Sequence, residues 1–480
     1  MSVMSERLEQ IRSAPTGEKV AAFFEYDGTL IDGSSARAML GDRIRRLNAG
    51  RAELGKAVLT MLRGVESEQD YAGLLESNKS FLADKTVAEM TESTEKMFRH
   101  DAAARLRPQM WEIVQAHREM SHRIVIASSA NQFEIVPVAR ELDADHALAT
   151  ELEVIDGVLT GATSGRPLWG PGKAAAVRAL AREHDLDLTE SFAYSDANAD
   201  VPFLEAVGHP VTVCPDDQLR AEARARAWPI LDIPKRSQPV GELVARTAAY
   251  YGSFVAGAAL GALVGAFRRD PTVLANNGLP LGNDVGLALA GIRVQVVSGE
   301  EHLTAARPCV FVINHQSKLD AGILFKLLRS GFTGIAKKEA RDIPVIGQIL
   351  ASAGVVFIDR ANTGKAINQL EPAVAKLRDE GVSVALSPEG TRSVTPRLGP
   401  FRKGAFHTAM QAGVPVVPIV IRNAGELMWR DAQLMHPGTI EVRVLPPVAT
   451  SEWEPATVAA HAEEVRDMFV HTLANWQEEL

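Results

Sequence analysis

The stretch Asn314-His315-Gln316-Ser317-Lys318-Leu319-Asp320 directly follows the apolar run Cys309 to Ile313, which has the length and composition of a buried strand. It places an imidazole and a carboxylate five residues apart at the end of that strand. A second stretch, Ser387-Pro388-Glu389-Gly390-Thr391-Arg392, is a Pro- and Gly-punctuated loop that carries one acid and one cation. A His oriented by an Asp can take a proton from a hydroxyl, and an Arg beside backbone amides can hold a phosphate. The two stretches together predict chemistry on a phosphorylated alcohol.

Four blocks in this half of the chain resemble the motifs of the glycerolipid acyltransferase family, in the family's order. They are the His-x4-Asp block at 315–320, Gly354-Val355-Val356-Phe357-Ile358-Asp359-Arg360, the Pro-Glu-Gly-Thr-Arg block at 388–392, and Val414-Pro415-Val416-Val417-Pro418-Ile419. The resemblance implies a membrane-associated enzyme of phospholipid biosynthesis. It would transfer an acyl group to the 2-hydroxyl of 1-acyl-sn-glycerol 3-phosphate (lysophosphatidic acid) and so form phosphatidic acid.

The same resemblance assigns roles to residues. His315 is expected to act as the general base, and Asp320 to hold its tautomer and stabilise the imidazolium. The candidates for binding the acceptor are Lys337, Arg360, Glu389, Gly390, Thr391 and Arg392. No cofactor is expected in this domain. The donor stays open between acyl-CoA and acyl carrier protein, as does the acyl chain length, and glycerol-3-phosphate and an acylated sugar phosphate stay open as acceptors.

Short apolar strands alternate with helical stretches between about Val20 and Ile233, which is the pattern of a parallel α/β sheet. The predicted strands are Val20–Phe24, Ile124–Ala127, Phe192–Tyr194 and Val211–Cys214. A charged, helix-forming insert at about 36–107 separates the first two strands. Because a crossover needs only about a dozen residues, this insert predicts a helical cap.

The segment Phe23-Phe24-Glu25-Tyr26-Asp27-Gly28-Thr29-Leu30 resembles the first motif of the haloacid dehalogenase superfamily, in its phosphoserine phosphatase-like branch. The resemblance implies a Rossmann-like haloacid dehalogenase fold with a cap. It also implies a phosphatase-like site made of Glu25, Asp27, Ser128, Lys173, Asp196 and Asp200, with Mg2+ held by Glu25, Asp27 and Asp196. Such a block joined to an acyltransferase is similar to bifunctional proteins of actinobacteria.

Glu25 departs from the superfamily pattern, which has Asp as the nucleophile at this position. The extra methylene moves the carboxylate outward by roughly 1–1.5 Å, and a misplacement of about 1 Å can lower a rate about 100-fold. Two alternatives follow. The block is either a Mg2+-dependent phosphomonoester hydrolase, acting on phosphoserine or a lipid phosphate, or a non-catalytic regulatory or dimerisation module.

The segment Ala248 to Phe267 contains no charged residue, and its 20 residues are the length of a bilayer-spanning helix. Gly257, Gly261 and Gly265 recur every four residues and favour close helix packing. A simple span would place the two blocks on opposite sides of a membrane, although both are expected to use cytoplasmic substrates. We therefore expect a helix that enters one leaflet, as half of a hairpin with residues 273–292. A buried helix of a soluble core is the alternative.

Length and charge complete the expectations. A chain of 480 residues is too long for one ordinary core, and the net charge of -9 argues against nucleic acid as a partner. Cys214 and Cys309 are expected to be buried thiols of a reducing compartment, and the polar first 19 residues predict no signal peptide. The expected location is the cytoplasmic face of the cell membrane, with membrane lipids and a second copy of the chain, in a homodimer, as partners. The expected domains are 19–235 (haloacid dehalogenase-like), 236–292 (linker and membrane-associated helical segment) and 293–480 (acyltransferase). In the last of these the predicted strands are Cys309–Ile313, Gly354–Ile358, Val382–Leu386, Val416–Ile421 and Ile440–Leu445, and the predicted helices are Gly364–Glu380 and Pro455–Glu479.

Overall fold

The computed structural model describes residues 3–35, 68–234, 238–359 and 370–476. The chain divides into two compact units, Met1–Arg236 and Ser237–Leu480, each with its own sheet and hydrophobic core. Part of the predicted cap (36–67) and part of the predicted linker (235–237) lie outside the described residues.

A six-stranded parallel sheet forms the centre of the N-terminal unit, with strand order β3-β2-β1-β6-β7-β8. The strands are β1 (Ala21–Phe24), β2 (Arg123–Asn131), β3 (His146–Thr150), β4 (Leu152–Ile155), β5 (Val158–Thr163), β6 (Phe192–Ser195), β7 (His209–Val213) and β8 (Ile230–Leu231), of which β4 and β5 form a separate antiparallel hairpin. All four residues of β1 are buried, as expected of a parallel strand covered on both faces. The strand order reverses direction at β1, so a crevice opens at the carboxyl ends of β1 and β6.

Helices surround this sheet. They are α1 (Val3–Ser13), α2 (Glu68–Leu82), α3 (Val87–His100), α4 (Pro108–Glu119), α5 (Gln132–Leu142), α6 (Pro171–Glu183), α7 (Val201–Leu204) and α8 (Asp217–Ala225). Two of them begin at capping boxes: the Thr86 hydroxyl accepts from the amide of Glu89 at the start of α3, and Asn131 pairs with Glu134 in the same way before α5. Helices α2 and α3 lie within the predicted cap insert and have the helical character expected for it.

A seven-stranded sheet forms the centre of the C-terminal unit, in the order β12-β11-β13-β10-β14-β15-β9. The strands are β9 (Ile292–Ser298), β10 (Val310–Ile313), β11 (Phe332–Lys337), β12 (Val356–Ile358), β13 (Ser383–Leu386), β14 (Val416–Arg422) and β15 (Gly438–Val444). All neighbouring pairs are parallel except β14 and β15.

Strand β10 divides the core of this unit into two layers. Phe311 and Ile313 contribute to a cluster on one face of the sheet, and Val310 and Val312 to a cluster on the other. Each strand residue points to the face opposite its neighbour's. The buried run therefore needs four apolar residues in succession, and the chain has them immediately before Asn314.

Helices cover both layers of the C-terminal unit. They are α9 (Val240–Arg268), α10 (Leu279–Ala290), α11 (His302–Ala305), α12 (Asp320–Leu328), α13 (Ile346–Ser352), α14 (Glu371–Arg378), α15 (Gly404–Ala412), α16 (Ala424–Leu427) and α17 (Val458–Ala474). Within the described part of the chain, α9 is the one helix that is long and apolar enough to cross a membrane.

Helices α9 and α10 pack against each other as a hairpin, called here the apolar hairpin. A Cβ atom at Gly257 would lie 2.5 Å from the carbonyl oxygen of Gly278, and one at Gly282 would lie 3.0 Å from the Cα of Gly257. Glycine at these positions therefore lets the two backbones touch, as the small-residue spacing of the sequence predicts.

Three details of the C-terminal unit were not in the sequence expectations. Strands β9 and β11 were not predicted, because both are short of continuous apolar residues. The predicted helix Gly364–Glu380 is described only from residue 370, where α14 begins at Glu371 and ends at Arg378. The predicted helix Pro455–Glu479 corresponds to α17, which begins at Val458 and ends at Ala474, whereas the structure describes the chain as far as residue 476.

Candidate active sites

His315 and Asp320 form a hydrogen-bonded pair at the carboxyl end of β10. The Nδ1 atom of His315 lies 2.6 Å from Oδ2 of Asp320, which is the first residue of α12. The same oxygen accepts the backbone N–H groups of Gln316 at 3.0 Å and Ser317 at 3.1 Å. Asp320 is 2% exposed, whereas the His315 side chain is 28% exposed. Because Nδ1 faces the carboxylate, Nε2 is the nitrogen able to take a proton from a substrate.

Side-chain hydrogen bonds fix the loop that carries His315 to β14 and the segment after it. The Asn314 amide donates to the carbonyl of Ile421 and accepts from its N–H, both at 2.8 Å. The Ser317 hydroxyl donates to the carbonyl of Met428 at 2.6 Å. The loop on either side of His315 is therefore fixed to the backbone of Ile421 and of Met428.

Glu389 supports the same loop from the second predicted stretch. Its Oε1 accepts the backbone N–H of His315 at 2.7 Å, and its Oε2 accepts that of Gly399 at 2.9 Å. Burial raises the pKa of Glu389 to about 7, although both backbone bonds favour the ionised form. The N–H of Ser393 donates to the carbonyl of His315 at 2.8 Å. Glu389 and Ser393 thus hold the two backbone polar groups of His315.

Three cations lie close to one another beside this pair. A guanidinium nitrogen of Arg430 donates to the carbonyl of Arg392 at 2.8 Å, and the Lys318 ammonium donates to the carbonyl of Ala432 at 2.9 Å. Burial, and then the positive charge of Arg430, lower the pKa of Arg392. Burial, and then Arg392, lower the pKa of Lys318. Partly buried cations that repel one another are suited to an anionic ligand such as a phosphate monoester.

The other predicted acceptor-binding residues are less informative. Lys337 ends β11 and is exposed, and Thr391 is also exposed beside Gly390, whose φ of +73° suits glycine. Arg360 lies outside the described residues. The structure therefore brings His315, Asp320, Glu389 and Arg392 together in one place.

In the N-terminal unit, the carboxylate of Glu25 lies in a closed network at the carboxyl end of β1. Its Oε1 accepts the Ser128 hydroxyl at 2.6 Å and the N–H of Tyr26 at 2.9 Å, and its Oε2 pairs with the Lys173 ammonium. Lys173 is 2% exposed and also lies 2.7 Å from Asp200, which accepts the Ser195 hydroxyl at 2.6 Å.

The electrostatics of this network reflect its burial. Burial raises the pKa of Glu25 to about 7, with Asp200 adding to the increase and Lys173 opposing it. Burial, and then the charge of Glu25, raise the pKa of Asp196 to about 8. For Lys173 burial acts to lower the pKa, but Asp200 and Glu25 outweigh it and the pKa is raised. Ser128, Lys173 and Asp200 are thus all in contact with Glu25 or with each other.

Asp27 and Asp196, the other predicted metal ligands, have different partners. Asp27 accepts the N–H of Ser35 at 2.7 Å and its hydroxyl at 2.8 Å, and Asp196 accepts the Thr29 hydroxyl at 3.1 Å. Among the described residues, no three His, Cys, Asp or Glu side chains converge on one metal position. In this arrangement the carboxylates of Asp27 and Asp196 both accept hydrogen bonds from protein donors, and the Mg2+ site at Glu25, Asp27 and Asp196 stays a prediction.

Comparison with known proteins gives a different family match for each of the two units. An acyltransferase family model matches residues 294–422, and a haloacid dehalogenase-like hydrolase model matches residues 22–205. The 1-acyl-sn-glycerol-3-phosphate acyltransferase of Limnanthes douglasii is 32% identical over 207 residues, which are 42% of this chain and 73% of that protein. This chain belongs to the 1-acyl-sn-glycerol-3-phosphate acyltransferase family. Both resemblances expected from the sequence are confirmed.

Two further similarities concern the acyltransferase unit. The 1-acyl-sn-glycerol-3-phosphate acyltransferase of Saccharomyces cerevisiae is 37% identical over 187 residues, 38% of this chain, and the chain spans 61% of its length. The crystal structure of the 1-acyl-sn-glycerophosphate acyltransferase of Thermotoga maritima is 23% identical, with a TM-score of 0.42, and covers 49% of this chain and 96% of that one.

Sequence reasoning missed two cations of the acyltransferase site. Lys318 lies inside the first motif, so a basic residue three positions after His315 was a signal that could have found it. Arg430 follows the fourth motif without a recognisable pattern of its own. Its position depends on a fold in which the segment after β14 returns to the carbonyl of Arg392.

Proposed function

We propose that this protein transfers an acyl group from a thioester, acyl-CoA or acyl carrier protein, to the 2-hydroxyl of 1-acyl-sn-glycerol 3-phosphate. The observation that carries the proposal is the His315–Asp320 pair, with its buried carboxylate and partly exposed imidazole, beside the cations Arg392, Arg430 and Lys318. A base next to an anion site suits an alcohol that also bears a phosphate.

The proposed reaction needs no nucleophile from the protein. The acceptor hydroxyl oxygen attacks the thioester carbonyl carbon while Nε2 of His315 takes the hydroxyl proton. Asp320 stabilises the imidazolium that forms and keeps Nδ1 protonated. The carbon–sulfur bond then breaks, and the proton passes from His315 to the leaving thiolate. Glu389 accepts the backbone N–H of His315 through Oε1 and that of Gly399 through Oε2, which fixes the loop of His315 to the second motif.

The test is an assay of purified protein with radiolabelled acyl-CoA, or acyl carrier protein, over a panel of acceptors. We expect phosphatidic acid from lysophosphatidic acid, and a loss of about 10^3-fold in His315→Ala, within the usual range for a general base. His471→Ala, which removes an exposed imidazole on α17, is the matched control and should retain full activity. Product formation by His315→Ala at the wild-type rate would contradict the proposal, as would a wild-type protein that acylates none of the acceptors.

We also propose that the apolar hairpin seats the protein in one leaflet, on the cytoplasmic face of the cell membrane. Large apolar side chains of α9 are exposed, with Leu263 at 69% and Phe267 at 91%, next to Arg268 and Arg269. Such a face suits insertion among lipids with anionic headgroups. Phe267→Glu should reduce co-sedimentation with phosphatidylglycerol vesicles, whereas Val470→Glu, at an exposed apolar position on α17, should not.

For the N-terminal unit, the second candidate function is a non-catalytic ligand-binding or dimerisation module. Glu25 engages both Ser128 and Lys173, the groups expected to receive a phosphoryl group. This contact favours the module over a Mg2+-dependent phosphohydrolase. Magnesium binding through Glu25, Asp27 and Asp196 stays a prediction, and isothermal titration of the full chain with MgCl2, compared with Asp196→Asn, tests it. The homodimer and the domain limits 19–235, 236–292 and 293–480 are likewise proposals, and analytical ultracentrifugation measures the first.

A further inference from the structure

Two buried polar side chains join the apolar hairpin to the helix that begins at Asp320. Tyr250 on α9 is 6% exposed and Asn283 on α10 is fully buried. The Tyr250 hydroxyl donates to Oδ1 of Asn283 at 3.1 Å, and Nδ2 of Asn283 donates to the carbonyl of Gly322 at 2.9 Å. Gly322 lies in the first turn of α12, two residues after Asp320.

An amide at this place is costly unless its hydrogen bonds are made. Asn283 lies in a helix of mostly apolar and glycine residues, and a buried amide without partners destabilises a fold. Here its oxygen and its nitrogen each have a partner, and the nitrogen's partner belongs to another helix. An apolar residue would fill the same space without this requirement, so the amide specifies a position as well as filling a volume.

Glycine at two positions makes room for the contact. A Cβ at Gly322 would lie 2.5 Å from the Tyr250 hydroxyl oxygen and 2.9 Å from Oδ1 of Asn283. A Cβ at Gly286 would lie 2.9 Å from the carbonyl of Tyr250. The helix of Asp320 therefore approaches the apolar hairpin more closely than any side chain at position 322 would allow.

Neighbouring contacts attach α12 to the hairpin along its whole length. Asp284, next to Asn283, lies 3.1 Å from the Lys326 ammonium and also pairs with Arg329. The rings of Phe254 and Phe325 are 5.8 Å apart. A displacement of the hairpin would therefore move α12, and with it the carboxylate that holds His315.

We propose that Tyr250 and Asn283 are positioning residues that set Asp320 against His315 through Gly322. They touch neither reacting atom and act through the helix that carries the orienting carboxylate. The inference rests on the acyltransferase function proposed above, and it adds that the catalytic pair takes its alignment from the lipid-facing hairpin.

The test is a double-mutant cycle on the full chain, with kcat and KM for lysophosphatidic acid as readouts. Asn283→Leu should lower kcat about 30-fold with little change in KM, because a misplacement of about 1 Å can lower a rate about 100-fold. Tyr250→Phe, which removes one hydroxyl, should lower kcat about threefold. In an Asp320→Asn background, adding Asn283→Leu should lower kcat by less than about threefold relative to Asp320→Asn alone, because the effects of residues that act through one another are not additive.

Thr247→Val is the matched control, because it removes a buried hydroxyl of α9, the helix of Tyr250, that accepts the N–H of Met435. It should lower the denaturation midpoint about as much as Asn283→Leu does while leaving kcat within about twofold of wild type. Equal losses from Asn283→Leu in the wild-type and Asp320→Asn backgrounds would overturn the inference, as would an unchanged kcat in both Asn283→Leu and Tyr250→Phe. In either case an active wild-type protein would leave the acyltransferase proposal standing, whereas an inactive one would refute that proposal itself.

Discussion

The two units each place a buried carboxylate at the carboxyl end of a central strand, but the partners of the two carboxylates differ. Asp320 contacts His315 and two backbone amides, and the imidazole it orients keeps Nε2 for a substrate. Glu25 contacts Ser128 and Lys173, the groups a phosphate would need. One carboxylate prepares a neighbouring group for reaction, whereas the other is itself bound to the machinery around it.

Residues that match a family's motif therefore do not by themselves make a catalytic site, because the contacts of those residues also decide whether a substrate can reach them. In the N-terminal unit Glu25 contacts Ser128 and Lys173, whereas Asp27 and Asp196 accept from Ser35 and Thr29. In the acyltransferase unit, Asp320 and Glu389 bond Nδ1 and the backbone N–H of His315, and Nε2 of His315 remains for a substrate. The following predictions test whether the contrast is real.

The largest effect is expected from Asp320→Asn. An amide cannot favour the protonated Nδ1 of His315 as a carboxylate does, so kcat for acyl transfer should fall about 10^3-fold. Steady-state kinetics with lysophosphatidic acid measure the loss. Asp467→Asn, at an exposed position of α17, should have no effect. A loss below tenfold in Asp320→Asn would remove the contrast between the two sites.

A gain of function is expected from Glu25→Asp. The shorter side chain would release Ser128 and Lys173 and restore the reach of the superfamily's nucleophile. Phosphate release from p-nitrophenyl phosphate in the presence of Mg2+ should rise about 100-fold over wild type. Glu25→Gln, which keeps the length and loses the charge, should not gain activity. If wild type hydrolyses the ester as fast as Glu25→Asp, the closed network does not inhibit it.

Arg430→Gln tests the cation cluster next to the catalytic pair. Loss of a charge-assisted contact to the acceptor's phosphate is worth about 2 kcal/mol, so KM for lysophosphatidic acid should rise about 30-fold with kcat unchanged. Arg293→Gln, at an exposed position of β9, is the control. An equal rise of KM for a neutral monoacylglycerol would show that the effect does not come from the phosphate.

The smallest effect concerns Glu389 and pH. Because burial raises the pKa of Glu389 to about 7, the form that accepts two backbone N–H groups best becomes dominant only above that pH. The ratio of kcat/KM between wild type and Glu389→Gln should therefore increase up to about tenfold from pH 6 to pH 8. The titration of other groups cancels in this ratio. A ratio that does not change with pH would show that the ionisation of Glu389 does not control the position of the His315 loop.

The sequence predicted the parts of the fold that depend on continuous apolar runs. Strands β1, β10, β13 and β14 lie within one residue of their predicted limits, since runs of almost entirely apolar residues bury both faces of a strand. Strand β9 was missed because its exposed positions, including Arg293 and Gln295, interrupt the apolar pattern at the sheet edge. The hairpin of α9 with residues 273–292 was predicted because a simple span would place the two blocks on opposite sides of a membrane, but the buried contact of Asn283 with Gly322 was not.

The candidate sites divide along a similar line. Side chains that occur within a short motif, such as His315 and Asp320, were found because five residues suffice to bring them together. Arg430 and Ser393 were missed because their positions depend on segments that meet only in the folded chain. The orientation of Asp27 toward Ser35 could not be read from the sequence either, because it depends on how the loop after β1 closes.

The amide of Asn314 has a consequence for the tolerance of this protein to insertions and deletions. It bonds both backbone groups of Ile421, and so it closes the pairing of β10 with β14 one residue before His315. A slip of one residue in that register would move the imidazole by about 3.3 Å and turn it to the other face of the sheet. The length of chain between Cys309 and Asn314 is therefore a fixed dimension of the enzyme, and we expect insertions or deletions there to displace the base.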